Sequence, residues 1–139
     1  MARQIAPLEP GVALMYGAEL AEAGMRNEAL VQYRAAEALD PNQHKLALYL
    51  GVALDETGKH DEAVRYLRRA VAQAPEDAAT HAALGTALAR GGHFEPAIAE
   101  METALQIKPD YAGLPQLLRY AREDAAKARN SPPTTTAAK

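Results

Sequence analysis

The side chains able to do chemistry in this 139-residue chain are few. There is no cysteine, and the only serine is Ser131, near the C-terminus. A serine or cysteine nucleophile in the main body is therefore ruled out, as are disulfides and thiolate metal sites. Four histidines remain, His44, His60, His81 and His93, and no two stand four apart, the spacing that sets a metal-binding pair on one helical face. His60 and His93 could approach one another from neighbouring turns, but they read as exposed turn residues. Gly91-Gly92 lacks the further glycines of a phosphate-cradling loop. Asp61 or Glu62 with Arg65 make helix-surface pairs worth about a few tenths of a kcal/mol. Arg65, Arg68 and Arg69 form a short basic stripe, read as a solvated face. No catalytic residue, metal site or cofactor follows from this inventory, and the chain is expected not to be an enzyme.

The elements that would position any of these groups are set by a repeat. Pro41, Pro75 and Pro109 stand 34 residues apart, and on that period further columns align. They are Gly17, Gly51 and Gly85; Leu20, Leu54 and Leu88; Gly24, Gly58 and Gly92; Ala29, Ala63 and Ala97; and Ala36, Ala70 and Ala104. Even in an alanine-rich chain, chance supplies about one such three-way match over a period. Six define a repeat.

Each unit has a physical logic. Ala13-x-x-Tyr16-Gly17-x-x-Leu20, Ala47-x-x-Leu50-Gly51-x-x-Leu54 and His81-x-x-Leu84-Gly85-x-x-Leu88 advance in steps of three and four, one helical stripe each. A glycine inside a helix costs about 1 kcal/mol against alanine. Three repetitions of that cost imply two backbones brought so close that a Cβ would collide. In the second half, Ala29, Ala63 and Ala97 supply a small residue at the crossing, with Tyr33, Leu67 and Met101 a turn later. The Gly24, Gly58 and Gly92 column suits a turn at positive φ. The proline column marks the exit, because proline disfavours helix in the residue before it.

These columns resemble the tetratricopeptide repeat, a 34-residue helix-turn-helix unit. The resemblance covers Pro10 to Tyr111 as three units. It departs from the family pattern where the Trp column holds Ala13, Ala47 and His81 and the Tyr column holds Leu20, Leu54 and Leu88. It implies an all-α, right-handed superhelical solenoid of antiparallel helix pairs. The expected helices are 10–23 and 27–39, 44–57 and 60–73, and 78–91 and 94–107. Asn27 and Asp61 suit first-turn or capping positions, and Pro96 a first turn. A seventh helix reads from Leu114 to Arg129, with Leu114, Leu117, Leu118, Ala121 and Ala125 on one stripe to cover the last repeat. The domain plan is thus an arm (1–9), repeats at 10–43, 44–77 and 78–111, a capping helix (112–129) and a disordered tail (130–139).

Composition narrows the function classes. A net charge of −3 gives no electrostatic reason to seek nucleic acid, and no tryptophan with one phenylalanine leaves little for base stacking. No apolar run approaches the ~20 residues of a membrane span, and no signal peptide is visible, so membrane insertion is not expected and a cytoplasmic location is. What remains is binding.

The first helix of each pair should line a concave face. Counting from each glycine, that face should carry Leu14, Ala18, Ala21 and Glu22; then Lys45, Leu48, Tyr49, Val52, Asp55 and Glu56; then Ala82, Thr86, Ala89 and Arg90. The last helix could add Gln116 and Tyr120. The floor is small and apolar with an acidic edge at Glu22, Asp55 and Glu56. The resemblance implies a protein partner, commonly a short peptide held in this groove. One subgroup of the family grips the C-terminal carboxylate of heat-shock chaperones with Lys, Asn, Asn, Lys and Arg, whose places fall here on Leu14, Ala18, Tyr49, Ala79 and Ala83. None matches, so a chaperone carboxylate is not the expected ligand. A peptide or helix with apolar anchors and basic flanks fits better. The alternative is a self-assembling unit, in which solenoids stack into a homo-oligomer.

Overall fold

A computed structural model describes residues 9–130. Apart from Glu9 and Asn130, the expected N-terminal arm and C-terminal tail lie outside the described residues. Seven helices, α1 (Pro10–Glu22), α2 (Arg26–Leu39), α3 (Leu46–Glu56), α4 (His60–Gln73), α5 (Ala78–Arg90), α6 (Phe94–Ile107) and α7 (Leu114–Asn130), follow one another with no strand among the described residues. The chain is an all-α superhelix.

Within each pair the connection is only 23–25, 57–59 or 91–93, short enough to fold the second helix back antiparallel. The middle residue of each is Gly24, Gly58 or Gly92, at φ +82°, +87° and +85°. At each turn the amide after the glycine donates back to a leucine carbonyl (Met25 to Leu20, Lys59 to Leu54, His93 to Leu88), and the glycine amide donates to Ala21, Asp55 or Ala89. This double bond pattern satisfies carbonyls the helix end would leave bare. It ties the Leu20/Leu54/Leu88 column to the glycine column.

The crossings are as tight as the spacing predicts. A Cβ on Gly17 would lie 2.5 Å from the Tyr33 ring, one on Gly51 2.6 Å from Leu67 Cγ, and one on Gly85 2.8 Å from Met101 Cγ. Ala29, Ala63 and Ala97 are fully buried beside them. Two clusters make the core. One spans α1–α6 around Leu50, Leu54, Leu67 and Leu84; the other joins α5 and α6 to α7 through Met101, Ala104, Leu114 and Leu118.

The first helix of the second repeat is shorter than the expected 44–57. Helix α3 opens at Leu46, with Lys45 left-handed at φ +69°. One period later Asp77 caps α5 by accepting the Ala79 amide at 3.0 Å. The residue at that place in the second repeat is Gln43, and its Oε1 is buried without a partner among the described residues. The shorter carboxylate closes the first turn and the longer amide does not.

His81, in the column where the family pattern has tryptophan, is buried between two acceptors. Its Nδ1 lies 2.8 Å from Glu100 Oε1 and its Nε2 2.7 Å from the Pro75 carbonyl. Only the imidazolium has a donor for both. Burial opposes the charge, but the bonds to Glu100 and Pro75 outweigh it and push the pKa above the ordinary 6.5. A folded pKa above the unfolded one means the contribution is whole below 6.5 and is lost as pH rises through the folded value. His81→Ala should therefore cost about 1–3 kcal/mol at pH 5.5, and the gap in Tm from wild type should shrink by pH 9. A gap constant with pH would show that the ring is neutral in the fold.

Candidate functional site

The backbones of the first helices α1, α3 and α5 approach one another closely along the stack, and those of the second helices α2, α4 and α6 stay apart. The stack therefore curves with the first helices inside. Their inner faces, closed at one end by 111–117, enclose a groove of about 420 Å³. Ala18, Ala21, Glu22, Leu48, Tyr49, Val52, Asp55, Glu56, Ala82, Thr86 and Arg90 all line it. Leu14 and Lys45 do not. Leu14 is drawn into the core of the first repeats. Lys45, placed before α3 by its left-handed backbone, borders a separate shallow dent with His44, Asp77 and Thr80. Ala89 packs against the core. On α7 it is Leu114 and Leu117 that reach the groove; Gln116 and Tyr120 bond each other on the exposed side at 3.2 Å. Gly113, at φ +75°, turns the chain just before α7.

Sequence reasoning missed several lining residues. Tyr111 and Ala112 come from an irregular connection with no periodic signal. Ala79 and Ala83, placed in the groove only as clamp positions that the resemblance implies, lie a turn before Ala82 and Thr86 on the same stripe. Tyr33 comes from the outer layer: its ring lies over Gly17, where no Cβ intervenes, stacks on Tyr49 at 6.0 Å, and lines the groove. The signal was present, because the period aligns Tyr33 with the apolar Leu67 and Met101.

The acidic edge is smaller than the sequence suggests. Asp55 is buried, accepting from Arg90 Nη1 at 2.5 Å on one oxygen and lying 2.7 Å from His60 Nδ1 on the other. It joins the ends of α3 and α5 to the start of α4. His60 is thus held in place rather than being a free turn residue, and it does not meet His93. Glu56 has an exposed partner, Arg26, at 3.4 Å. Glu22 has no partner among the described residues and is the open carboxylate of the groove. Burial first, then Tyr49, Glu56 and Glu22, push the Tyr33 phenol up to about 12.

On the outer face, long side chains bridge α2 and α4. Arg34 donates to Glu62 at 2.6 Å and to the Tyr66 hydroxyl at 3.2 Å, and Tyr66 donates to Glu37 at 2.5 Å. The Arg34 bond holds the Glu62 carboxyl below its usual range. Glu62 is therefore taken by Arg34, and the expected pair with Arg65 is not made. Of the basic stripe, Arg69 bonds the Pro41 carbonyl and covers the Tyr66 ring; Arg65 and Arg68 are exposed.

No group of three or more metal-ligating side chains converges among the described residues, and no described helix is long and apolar enough to cross a membrane. Stacked helical hairpins enclosing one concave groove make this an α-solenoid. The tetratricopeptide repeat family model matches residues 20–86 and 56–128, and the chain belongs to that family. Its fold is similar to that of the first TPR of Spaghetti (RPAP3) bound to HSP90 peptide SRMEEVD, at 21% identity and TM-score 0.78, with 85% of this chain and 94% of that one covered. The first TPR domain of the human RPAP3 protein is similar at 22% identity and TM-score 0.81, covering 91% of this chain and 100% of that one. MamA residues 41–end from Desulfovibrio magneticus RS-1 are similar at 24% identity and TM-score 0.74, over 87% and 74% of the two chains. No curated protein matches the chain significantly.

Proposed function

We propose that this chain is a protein-interaction module that holds a peptide or helix of a partner in its concave groove. The carrying observation is a row of half-buried apolar side chains, Leu48 and Val52 with exposed Leu117, inside a groove wide enough for a short segment. An apolar strip open to water is costly unless something covers it. The domain plan supports the reading, with three repeats forming the walls and α7 acting as cap.

The groove suits apolar anchors rather than a terminal carboxylate. Ala18, Tyr49, Ala79 and Ala83 occupy four of the family's clamp positions in it, and its one arginine, Arg90, is bound to Asp55. A carboxylate entering there would lose its water without gaining a free cation. The SRMEEVD peptide should accordingly show no measurable binding at 100 µM, a concentration that detects affinities of about 1 mM or tighter. Nucleic acid fits the groove poorly for the same want of free cations.

The test is selection of a random phage-displayed peptide library on the chain. Val52→Lys and Leu48→Glu should abolish capture of the selected peptides, because a charge on the floor must be desolvated on binding. Both residues pack partly against the core, so each change should also cost about 1 kcal/mol of stability while leaving the helical circular dichroism in place. Arg65→Ala and Arg68→Ala should bind as wild type. If the arginine variants lose capture and the floor variants keep it, the functional surface is the outer basic stripe.

A second reading, self-assembly, rests on Val12, Met15 and Tyr16, half-exposed or more on α1. A mass that rises with concentration and falls on Met15→Glu would support it.

A further inference from the structure

The tyrosine over Gly17 is more than packing requires. In the second and third repeats Leu67 and Met101 fill the same crossing with apolar ends. Tyr33 adds a hydroxyl. The residue is 2% exposed, yet its hydroxyl bonds no described group and is not among the sealed-off polar atoms, so it opens into the groove that Tyr33 lines. A polar atom placed there has only water, or a ligand that displaces the water, to bond, and a ligand that excludes the water must supply the partner. Around it stand the Tyr49 ring, the unpaired Glu22 and Glu56, whose only described partner is the exposed Arg26.

We propose that this end of the groove is a subsite for one basic side chain, arginine or lysine, of the bound peptide. Tyr33 offers its hydroxyl as an acceptor, the half-buried Tyr49 offers its hydroxyl and the ring face turned away from Tyr33, and Glu22 and Glu56 offer carboxylates. The far end, with Ala82, Ala83 and Leu117, takes the apolar anchor. Charge complementarity commits the site to a cation: a ligand carboxylate would meet Glu22, and an apolar group would leave the Tyr33 hydroxyl unpaired. A guanidinium matches this set best, because it stacks on a ring while donating to carboxylate and phenol in its own plane. The subsite also gives the groove a direction, since the basic residue must lie toward the α1–α3 end and the anchor toward α7. Arg26 would be released from Glu56 when the ligand cation arrives.

This inference rests on the groove reading above, and the experiment separates the two. Peptides selected from the random phage library on the wild-type chain should share one Arg or Lys at a fixed spacing from apolar positions. A synthetic consensus peptide and its copy with norleucine at the basic position are then titrated against wild type, Glu22→Gln, Tyr33→Phe and Val52→Lys. Tyr33→Phe keeps the ring over Gly17 and removes only the hydroxyl, so folding is unaffected. Glu22→Gln should weaken the basic peptide about tenfold and Tyr33→Phe about fivefold, with the norleucine peptide equally weak on all three groove-competent proteins. Raising salt should weaken the basic peptide on wild type and leave it nearly unchanged on Glu22→Gln. Peptides with no basic position, or a Glu22→Gln effect equal for both peptides, would overturn the subsite while Val52→Lys still abolished binding and the groove stood. Binding untouched by Val52→Lys, or a library that yields no binder, would overturn both.

Discussion

Gly51→Leu should cost this protein about 3 kcal/mol or more, a fall in Tm of roughly 10 °C. A Cβ at this position would lie 2.6 Å from Leu67 Cγ, 2.7 Å from Leu67 Cδ2 and 3.4 Å from the Ala63 carbonyl oxygen. Leu67 is fully buried and has no free space to retreat into, and Ala63 presents backbone, so α3 and α4 must separate. The larger helix propensity of leucine returns only about 1 kcal/mol. Gly51→Ala should cost less, and combining it with Leu67→Ala should recover part of the clash, a coupling that a double-mutant cycle reads directly. A Tm for Gly51→Leu within two degrees of wild type would mean that the helices do not cross there.

Removing 114–139 should damage the protein as severely. Leu114, Leu118, Ala121 and Ala125 are all buried by α7, and their loss exposes Met101 and Ala104 beneath them. At about 1.5–3 kcal/mol for each large side chain, that packing exceeds what a marginally stable domain can lose. The exposed pairs Arg122–Glu102 and Arg129–Glu95 contribute less than about 1 kcal/mol each and do not hold the helix on. The truncated chain should aggregate or unfold well below the wild-type Tm, and it should lose peptide binding because Leu114 and Leu117 leave the groove with α7. Removing only 131–139, which has no large apolar residue, should leave Tm and binding unchanged. Equal behaviour of the two truncations would defeat the role given to α7.

The sequence determined the repeat. A 34-residue period, a glycine column and an alanine column each answer to one local requirement, a turn at positive φ or a crossing with no room for a Cβ. Such requirements recur with the period and can be counted along a single chain. Most of the groove was legible for the same reason: once the crossing face of each helix is known, Leu48, Val52 and Ala82 fall on the inner face by helical phase alone.

What only the tertiary structure decided is how the side chains were shared out. Asp55 and Glu22 look alike as acidic residues on first helices, but Arg90 from the next repeat and His60 from the next helix bond only Asp55. Glu62 has Arg65 within reach on its own helix and bonds Arg34 on another. Tyr33 belongs to an outer helix and still reaches the groove, through the gap that Gly17 leaves. Helix phase, turn and crossing are local properties, written in every repeat. The pairing of charges and the reach of long side chains depend on distances across the stack, which exist only once the repeats are packed.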